Sequence, residues 1–336
     1  MTQKYIEEPP YSRKQQNVKM DFSGFFFLAV WLLTLQVVLD KGNDADWFGS
    51  AWICRLFSVS MISFLTFVYI QRKKAKTGDG LINLSILRNK NFMIGTGAQI
   101  ILMAILMSSA AILPSMLQRL LGYTAFLSGL SMIPRGAGCF IASILSGMLV
   151  IRLGIKPTTV IGLVILATGG LLFGQINTNI ALADIAFPNF VFGAGMVLAM
   201  VPLSNISCAT LSNEEQTNAS GVQNLFKNVG AAIGTSIATT TITRFSQAHQ
   251  MMMVHTLRDT NPAFSERVST ISSVFITQFD PATAVHMAQA QIYRLLNHQA
   301  ALWGYVETFR YYAVAVILIL PFIYFLNDTS RKKAEN

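Results

Sequence analysis

Charge is scarce in this chain: Asp, Glu, Lys and Arg make up 12% of its 336 residues, against 52% hydrophobic. That is too little to coat a water-soluble protein of this length. Cysteine is also rare: Cys54, Cys139 and Cys208 each fall in or at the end of a different apolar run, without metal-ligand spacing. They read as small apolar packers or, alternatively, as functional thiols. His249, His255, His286 and His298 share one polar stretch but lack the close pairing of a zinc site. There is no phosphate-cradling glycine loop, nucleophile elbow or Cys/His cluster, so nothing supports an ATPase or a membrane hydrolase, and neither cofactor nor metal is expected.

Long apolar runs are abundant. Eight of them, at 22–39, 50–70, 92–117, 125–150, 158–173, 185–203, 221–242 and 311–326, approach the ~20 residues that cross a bilayer. Backbone groups in hydrocarbon must pair internally, so each run is expected to be a helix. The fold class is therefore an all-α polytopic membrane protein with about eight transmembrane helices. The basic residues alternate. Arg13, Lys14 and Lys19 precede the first run, Arg72 to Lys90 follow the second, Arg152 and Lys156 follow the fourth, and Arg331 to Lys333 follow the last. These ends are cytoplasmic by the positive-inside rule, which puts both termini inside; Arg119 is the exception on the opposite side. The same placement accounts for the net charge of +9 and leaves no basic face for nucleic acid.

The runs divide the chain. Residues 1–20 form a polar cytoplasmic linker with Pro9 and Pro10, unlike a cleavable signal, and give the chain the look of the middle of a longer protein. A helix pair occupies 21–70 and a basic cytoplasmic loop 71–91. Six spans fill 92–326 with an outer segment at 244–308, and a cytoplasmic tail runs from 327 to 336. In the outer segment Asp280-Pro281 marks a helix start, and Val285, Ile292, Leu295, Leu296 and Trp303 follow near helical spacing. This segment is either packed on its own bundle or a surface for a partner.

Polar groups inside lipid are costly, so each is a candidate site residue. Arg135 lies about 15 Å below the outer end of its run, near mid-membrane. It serves either the carbonyl freed by Pro134 or a substrate or coupling pathway. Lys227 sits beside a stripe of Gly221, Asn224, Asn228 and Ala231 at helical spacing; it either lines a cavity with Asn224 and Asn228 or snorkels to the interface. The carboxylates available to carry a proton are Asp21, Asp184 and Glu307, all at run ends. Small residues four apart (Ser143 and Gly147, Gly170 and Gly174, Gly195 and Ala199, Gly230 and Gly234) let helices touch, in static packing or in a moving interface.

Taken together, residues 21–24, 39–42 and 46–50 (the helix pair), the Gly129–Gly136 and Ala219–Gly230 stretches and the Tyr305–Phe309 stretch resemble the second half of the fourteen-helix drug:proton antiporters of the major facilitator superfamily, EmrB/QacA type. Gly147, Arg152, Gly154 and Lys156 resemble that superfamily's conformational loop motif, with Ile151 in place of its acidic residue. The resemblance implies a linker hairpin plus a six-helix C-terminal bundle. It further implies proton-driven multidrug efflux of amphipathic or apolar small molecules from the inner membrane, and no enzymatic activity. The implied partners are drugs and protons, membrane lipid, an N-terminal transporter half and, in double-membrane bacteria, a periplasmic adaptor protein and an outer-membrane channel. Without that half the chain is expected to be inactive, being either a truncated gene product or one of two separately encoded halves. A non-transporting, adaptor-binding scaffold is the alternative, and a lipid-modifying membrane enzyme a weaker one.

Overall fold

A computed structural model describes residues 21–74, 84–177, 180–258 and 260–326. The linker 1–20, the tail 327–336 and the middle of the basic loop lie outside the described residues. Every regular element among the described residues is helical: α1 Phe22–Lys41, α2 Ala51–Lys74, α3 Lys90–Arg119, α4 Ala125–Leu130, α5 Ile133–Leu153, α6 Ile155–Phe173, α7 Leu182–Cys208, α8 Asn213–Val254, α9 Pro262–Phe275 and α10 Pro281–Tyr324, with short 3-10 turns at Trp47–Gly49 and Leu84–Arg88.

Among the described residues seven helices are long and apolar enough to cross a membrane: α1, α2, α3, α4 with α5, α6, α7 and α10. The eighth apolar run, 221–242, is helical throughout as part of α8, but α8 falls short of that threshold. Gln223, Asn224, Lys227, Asn228 and Thr239 to Thr241 dilute it; such a helix crosses lipid only where its polar side is shielded. The fourth run is not one helix. It breaks at Ser131-Met132, and Pro134 falls in the first turn of α5, where no helical N–H is required. The hydrogen bonds of Arg135 go to Asn189 and Ser109 rather than to a carbonyl one turn before Pro134.

The chain divides into two compact units. One comprises residues up to 104 with 202–236 and 321 onward. Here α1 and α2 run antiparallel, with the start of one joined to the end of the other: Asp21 receives hydrogen bonds from Lys74 Nζ at 2.6 Å, Gln71 Nε2 at 2.8 Å and the Gly24 N–H at 2.7 Å. Along the pair, Trp31 packs on Phe64 and Ser60 donates to the Trp31 carbonyl. Phe25, Phe26, Ile62 and Leu65 are largely exposed, as expected of side chains that lipid covers. In the same unit α8 lies against α3, where Gly230 faces Ile100 and Gly234 faces Ala104 too closely to admit a Cβ. Phe92, Ile86, Leu211, Ala219 and Val222 pack beneath that crossing.

The other unit comprises 105–201 and 237–320. Gly162 and Gly195 bring α6 and α7 to backbone contact, and Gly138 does the same for α5 and α7. Phe173 of α6 stacks on Phe309 of α10 at 4.6 Å and meets Phe192 of α7 edge-on at 6.0 Å, tying three helices around one aromatic cluster. At ~1.5 Å per residue α10 spans some 66 Å, about twice the hydrocarbon core, so its first half extends beyond lipid. That half begins where Asp280-Pro281 predicts. Asp280 Oδ2 accepts from the Thr283 N–H at 3.1 Å, and this bond holds the carboxyl below its ordinary value. α9 then packs on α10 through Val268, Ala288 and Ile292.

Candidate functional site

Arg135 is a buried guanidinium inside a spanning segment. It lies in the first turn of α5 and is 6% exposed. Its Nε donates to Asn189 Oδ1 at 2.9 Å and its Nη1 to Ser109 Oγ at 3.1 Å, and the Phe192 ring lies 4.9 Å from the guanidinium carbon. Asn189 is fixed in turn: its Nδ2 donates to the Ser131 carbonyl at 2.7 Å, which aims its oxygen at the arginine. The break between α4 and α5 supplies that carbonyl, so the interruption of the fourth run helps to hold the guanidinium. Tyr312 of α10 and Cys139 stand close by. Nη2 has no hydrogen-bond partner among the described residues, and neither described ion pair, Lys74–Asp21 or Arg310–Glu307, involves Arg135.

Asn224 and Asn228 are exposed with Gly221 on one face of α8, and Lys227 is half-buried at its edge. The opposite face is buried: Gln223 Nε2 donates to Ser207 Oγ at 2.7 Å, Gln99 Nε2 donates to the same oxygen at 3.1 Å, and Ser207 donates to the Ser204 carbonyl at 2.8 Å. Three helices of this unit thus share one hydroxyl. These residues belong to the unit that does not contain Arg135.

The remaining candidates lie apart from both groups. Asp184 is exposed at the start of α7, where it accepts from the Ala181 N–H at 3.1 Å, an end-capping arrangement. Glu307 faces Arg310 at 3.5 Å on the same helix; Arg310 Nη2 donates to the Gly174 carbonyl at 3.1 Å, and its guanidinium lies over Trp303. Arg310, Trp303, Gln299 and Asn177 border a cavity of about 260 Å³. In the loop motif, Gly154 closes α5 and opens α6 with φ +95° and ψ 171°, a conformation that L side chains rarely adopt. Arg152 is exposed, Lys156 is half-buried, and Gly147 has open space where its Cβ would stand. The hydrogen bonds of Arg135 among the described residues go to Asn189 and Ser109, not to another of these candidates.

Ser109, Asn189 and Phe192 escaped the sequence reading. The available signal was a lone Asn in the apolar run 185–203, because two isolated polar groups in neighbouring spans must find partners in lipid. Among the described residues no three His, Cys, Asp or Glu side chains group closely enough to hold a metal ion.

Apolar helices of spanning length, joined by glycine-mediated contacts and internal polar nodes, define a multi-pass α-helical membrane protein. Residues 22–235 match the Major Facilitator Superfamily model, and the chain belongs to that family. It is 29% identical over 319 residues to the probable multidrug resistance protein EmrY of Escherichia coli, covering 92% of this chain and 58% of that protein. It is 24% identical to the multidrug export protein EmrB of Escherichia coli and 22% identical to the fatty acid resistance protein FarB of Neisseria gonorrhoeae; these alignments cover 91% and 90% of this chain and 58% of each relative. The chain thus spans less than two thirds of these relatives' length. A solved structure of a bacterial homologue of the human lysosomal transporter Spinster aligns at 13% identity over 81% of this chain and 57% of that one, with a TM-score of 0.46, too loose a likeness to add to the argument.

Proposed function

We propose that this chain provides a helix pair and the second six-helix bundle of a proton-driven multidrug exporter, and that it works only beside a first bundle. The single observation that carries this reading is the alignment of some nine-tenths of the chain with little more than half of each of several drug-export proteins. Two open faces fit it. On α5, Gly136, Phe140, Ile144, Gly147 and Ile151 recur at helical spacing and are all exposed, with Ile151 86% exposed. On α8 the open face is the polar one of Gly221, Asn224 and Asn228. A polar face is a poor surface to leave against lipid but suits the wall of a cavity between two bundles that rock about a midplane site.

In this reading Arg135, Asn224, Lys227 and Asn228 border the substrate pathway. The principal proton carrier comes from the first bundle, with Asp184 and Glu307 as lesser candidates, and Gly147 to Lys156 form the loop that reshapes during the cycle. We assign the pair to 21–70, the loop to 71–91, the bundle to 92–326 and the tail to 327–336, with both termini in the cytoplasm of an inner-membrane protein. The outer segment 244–308 is the place for a periplasmic adaptor and, through it, an outer-membrane channel.

Purified chain in proteoliposomes with an imposed proton gradient tests the proposal. The chain alone is expected to move no dye, and co-purification with a six-helix first bundle is expected to confer transport that Arg135→Ala or Asn224→Ala reduces. Dye transport by the chain alone, lost on Arg135→Ala, would contradict it. Capture of an adaptor without transport by any combination would favour the scaffold.

A further inference from the structure

Lipid covers every span, but where α6 ends against α10 the surface is shaped for the headgroup of a single lipid molecule. Arg310, Trp303, Gln175, Asn177 and Gln299 border a cavity of about 260 Å³ there. We infer that this cavity holds the phosphate headgroup of a membrane phospholipid, with Arg310 as its principal contact. The level in the membrane fits. Gly174 is the first residue after α6, and Arg310 the last before the apolar run 311–326, so both stand where hydrocarbon gives way to water. Arginine and tryptophan are the side chains that favour that boundary. The two helices touch at this point: a Cβ on Gly174 would meet Arg310 Cγ at 2.8 Å, and one on Gly170, a turn further in, would meet the Phe309 carbonyl oxygen at 3.2 Å.

Arg310 is held but not used up. Its Nη2 donates to the Gly174 carbonyl at 3.1 Å, and the Trp303 ring lies 5.6 Å from the guanidinium carbon, which fixes the plane of the fork. Glu307 meets Nη1 only at 3.5 Å, the side chains of that pair are 43% and 27% exposed, and Glu307 does not border the cavity. A guanidinium has five N–H donors, so those two partners leave several for a ligand, and the amides of Gln175, Asn177 and Gln299 add more around the same space. A phosphodiester with its glycerol offers several oxygens to such a ring of donors, whereas a carboxylate occupies a single edge of the guanidinium. The rest of the lipid has its own place. Leu171 lies one turn inward of Gly174, and Val314 and Leu318 lie one and two turns inward of Arg310; they are 49%, 50% and 64% exposed. Open apolar side chains beneath a cation and its amides match acyl chains beneath a headgroup. At about 260 Å³ the cavity is also smaller than the roughly 300–1,000 Å³ that enclose a drug-sized molecule, so it suits a headgroup rather than a whole transported substrate.

Trp303 provides the reporter. In the full chain with Trp31, Trp47 and Trp52 replaced by Phe, its emission is titrated in phospholipid-free detergent with four probes: dioctanoyl-phosphatidylglycerol, dioctanoylglycerol, inorganic phosphate and decanoate. The phospholipid is expected to saturate the response and to bind at least about tenfold more tightly than each of the other three. Arg310→Gln is expected to weaken it by about tenfold or more, and Arg310→Lys to restore part of the loss. Should the altered chains fail to fold, native mass spectrometry of the unaltered chain decides: retention of one phosphatidylglycerol under conditions that strip dioctanoylglycerol supports the site, and equal loss of both overturns it. Equal binding of dioctanoylglycerol would reduce the site to its apolar strips, equal binding of inorganic phosphate would make it a free-anion site, and equal binding of decanoate would make it a carboxylate site; each overturns the inference. So does the absence of a saturable response, or full affinity in folded Arg310→Gln. The inference needs the spans and not the exporter reading, so failure of the transport assay leaves it standing, and failure of these titrations leaves the exporter to its own test.

Discussion

At the residue scale, the clearest electrostatic feature outside the spans is Asp21. Burial pushes its carboxyl up, but the Lys74 ammonium, the Gly24 N–H, Ser23 and Gln71 together outweigh that and hold it at about 2, below the ordinary 3.8. Because the folded-state value is the lower one, its contribution to stability is complete above pH ~4 and disappears as pH falls through ~2. Asp21→Asn is therefore expected to cost about 1–3 kcal/mol at pH 7 in a detergent unfolding assay followed by tryptophan fluorescence, and variant and parent should converge near pH 2. A pH-independent difference would contradict the clasp. At Gly154, the +95° φ predicts a cost of about 1–3 kcal/mol for Gly154→Ala, read by the same assay. Sequence alone could single out Arg135, because an isolated charge in an apolar run is conspicuous. It offered the lone Asn189 as a hint but could not pair it, or Ser109, with Arg135, because their approach depends on how α3, α5 and α7 cross, and crossing geometry leaves no local periodicity.

At the element scale, glycines that look alike in sequence behave oppositely. A Cβ on Gly138 would sit on the Phe190 carbonyl oxygen, whereas one on Gly147 meets nothing within 4 Å. Gly138→Ala is thus expected to destabilise by about 2 kcal/mol or more, and Gly147→Ala to be neutral or stabilising by up to about 1 kcal/mol, since alanine favours helix. Thermal unfolding of the two variants side by side checks this; the same sign for both would refute it. In complex with a first bundle, Gly147→Ala is expected to impair transport while leaving the stability of the chain alone intact. Of the apolar residues that recur near helical spacing along the outer half of α10, Ile292 and Leu296 are buried, while Val285, Leu295 and Trp303 are exposed. The buried side runs through Ala284, Ala288, Ile292, Leu296, Ala300 and Gly304 and continues through Thr308, Tyr312 and Val316. A step of four residues drifts by about 40° per turn on a 3.6-residue helix, so the packed face winds around α10. Alanine and glycine carry little hydropathy, so a reading that weights large apolar side chains misses them.

At the scale of the whole molecule, the all-helical membrane class was legible because lipid imposes it: run length and charge alternation require no knowledge of contacts. The polar α8 shows the limit of that reading, since hydropathy cannot tell a shielded stripe from a helix that stays outside the bilayer. The account rests on the threading of the chain through the membrane, and single-cysteine labelling tests it most directly. In a background with Cys54, Cys139 and Cys208 replaced, a membrane-impermeant maleimide applied to intact cells is expected to label cysteines placed at Asp44 and Gln278 but not at Ser85 or Lys156, which become reactive only after the membrane is opened. Labelling at Ser85 or Lys156 from outside, or none at Gln278, would contradict it.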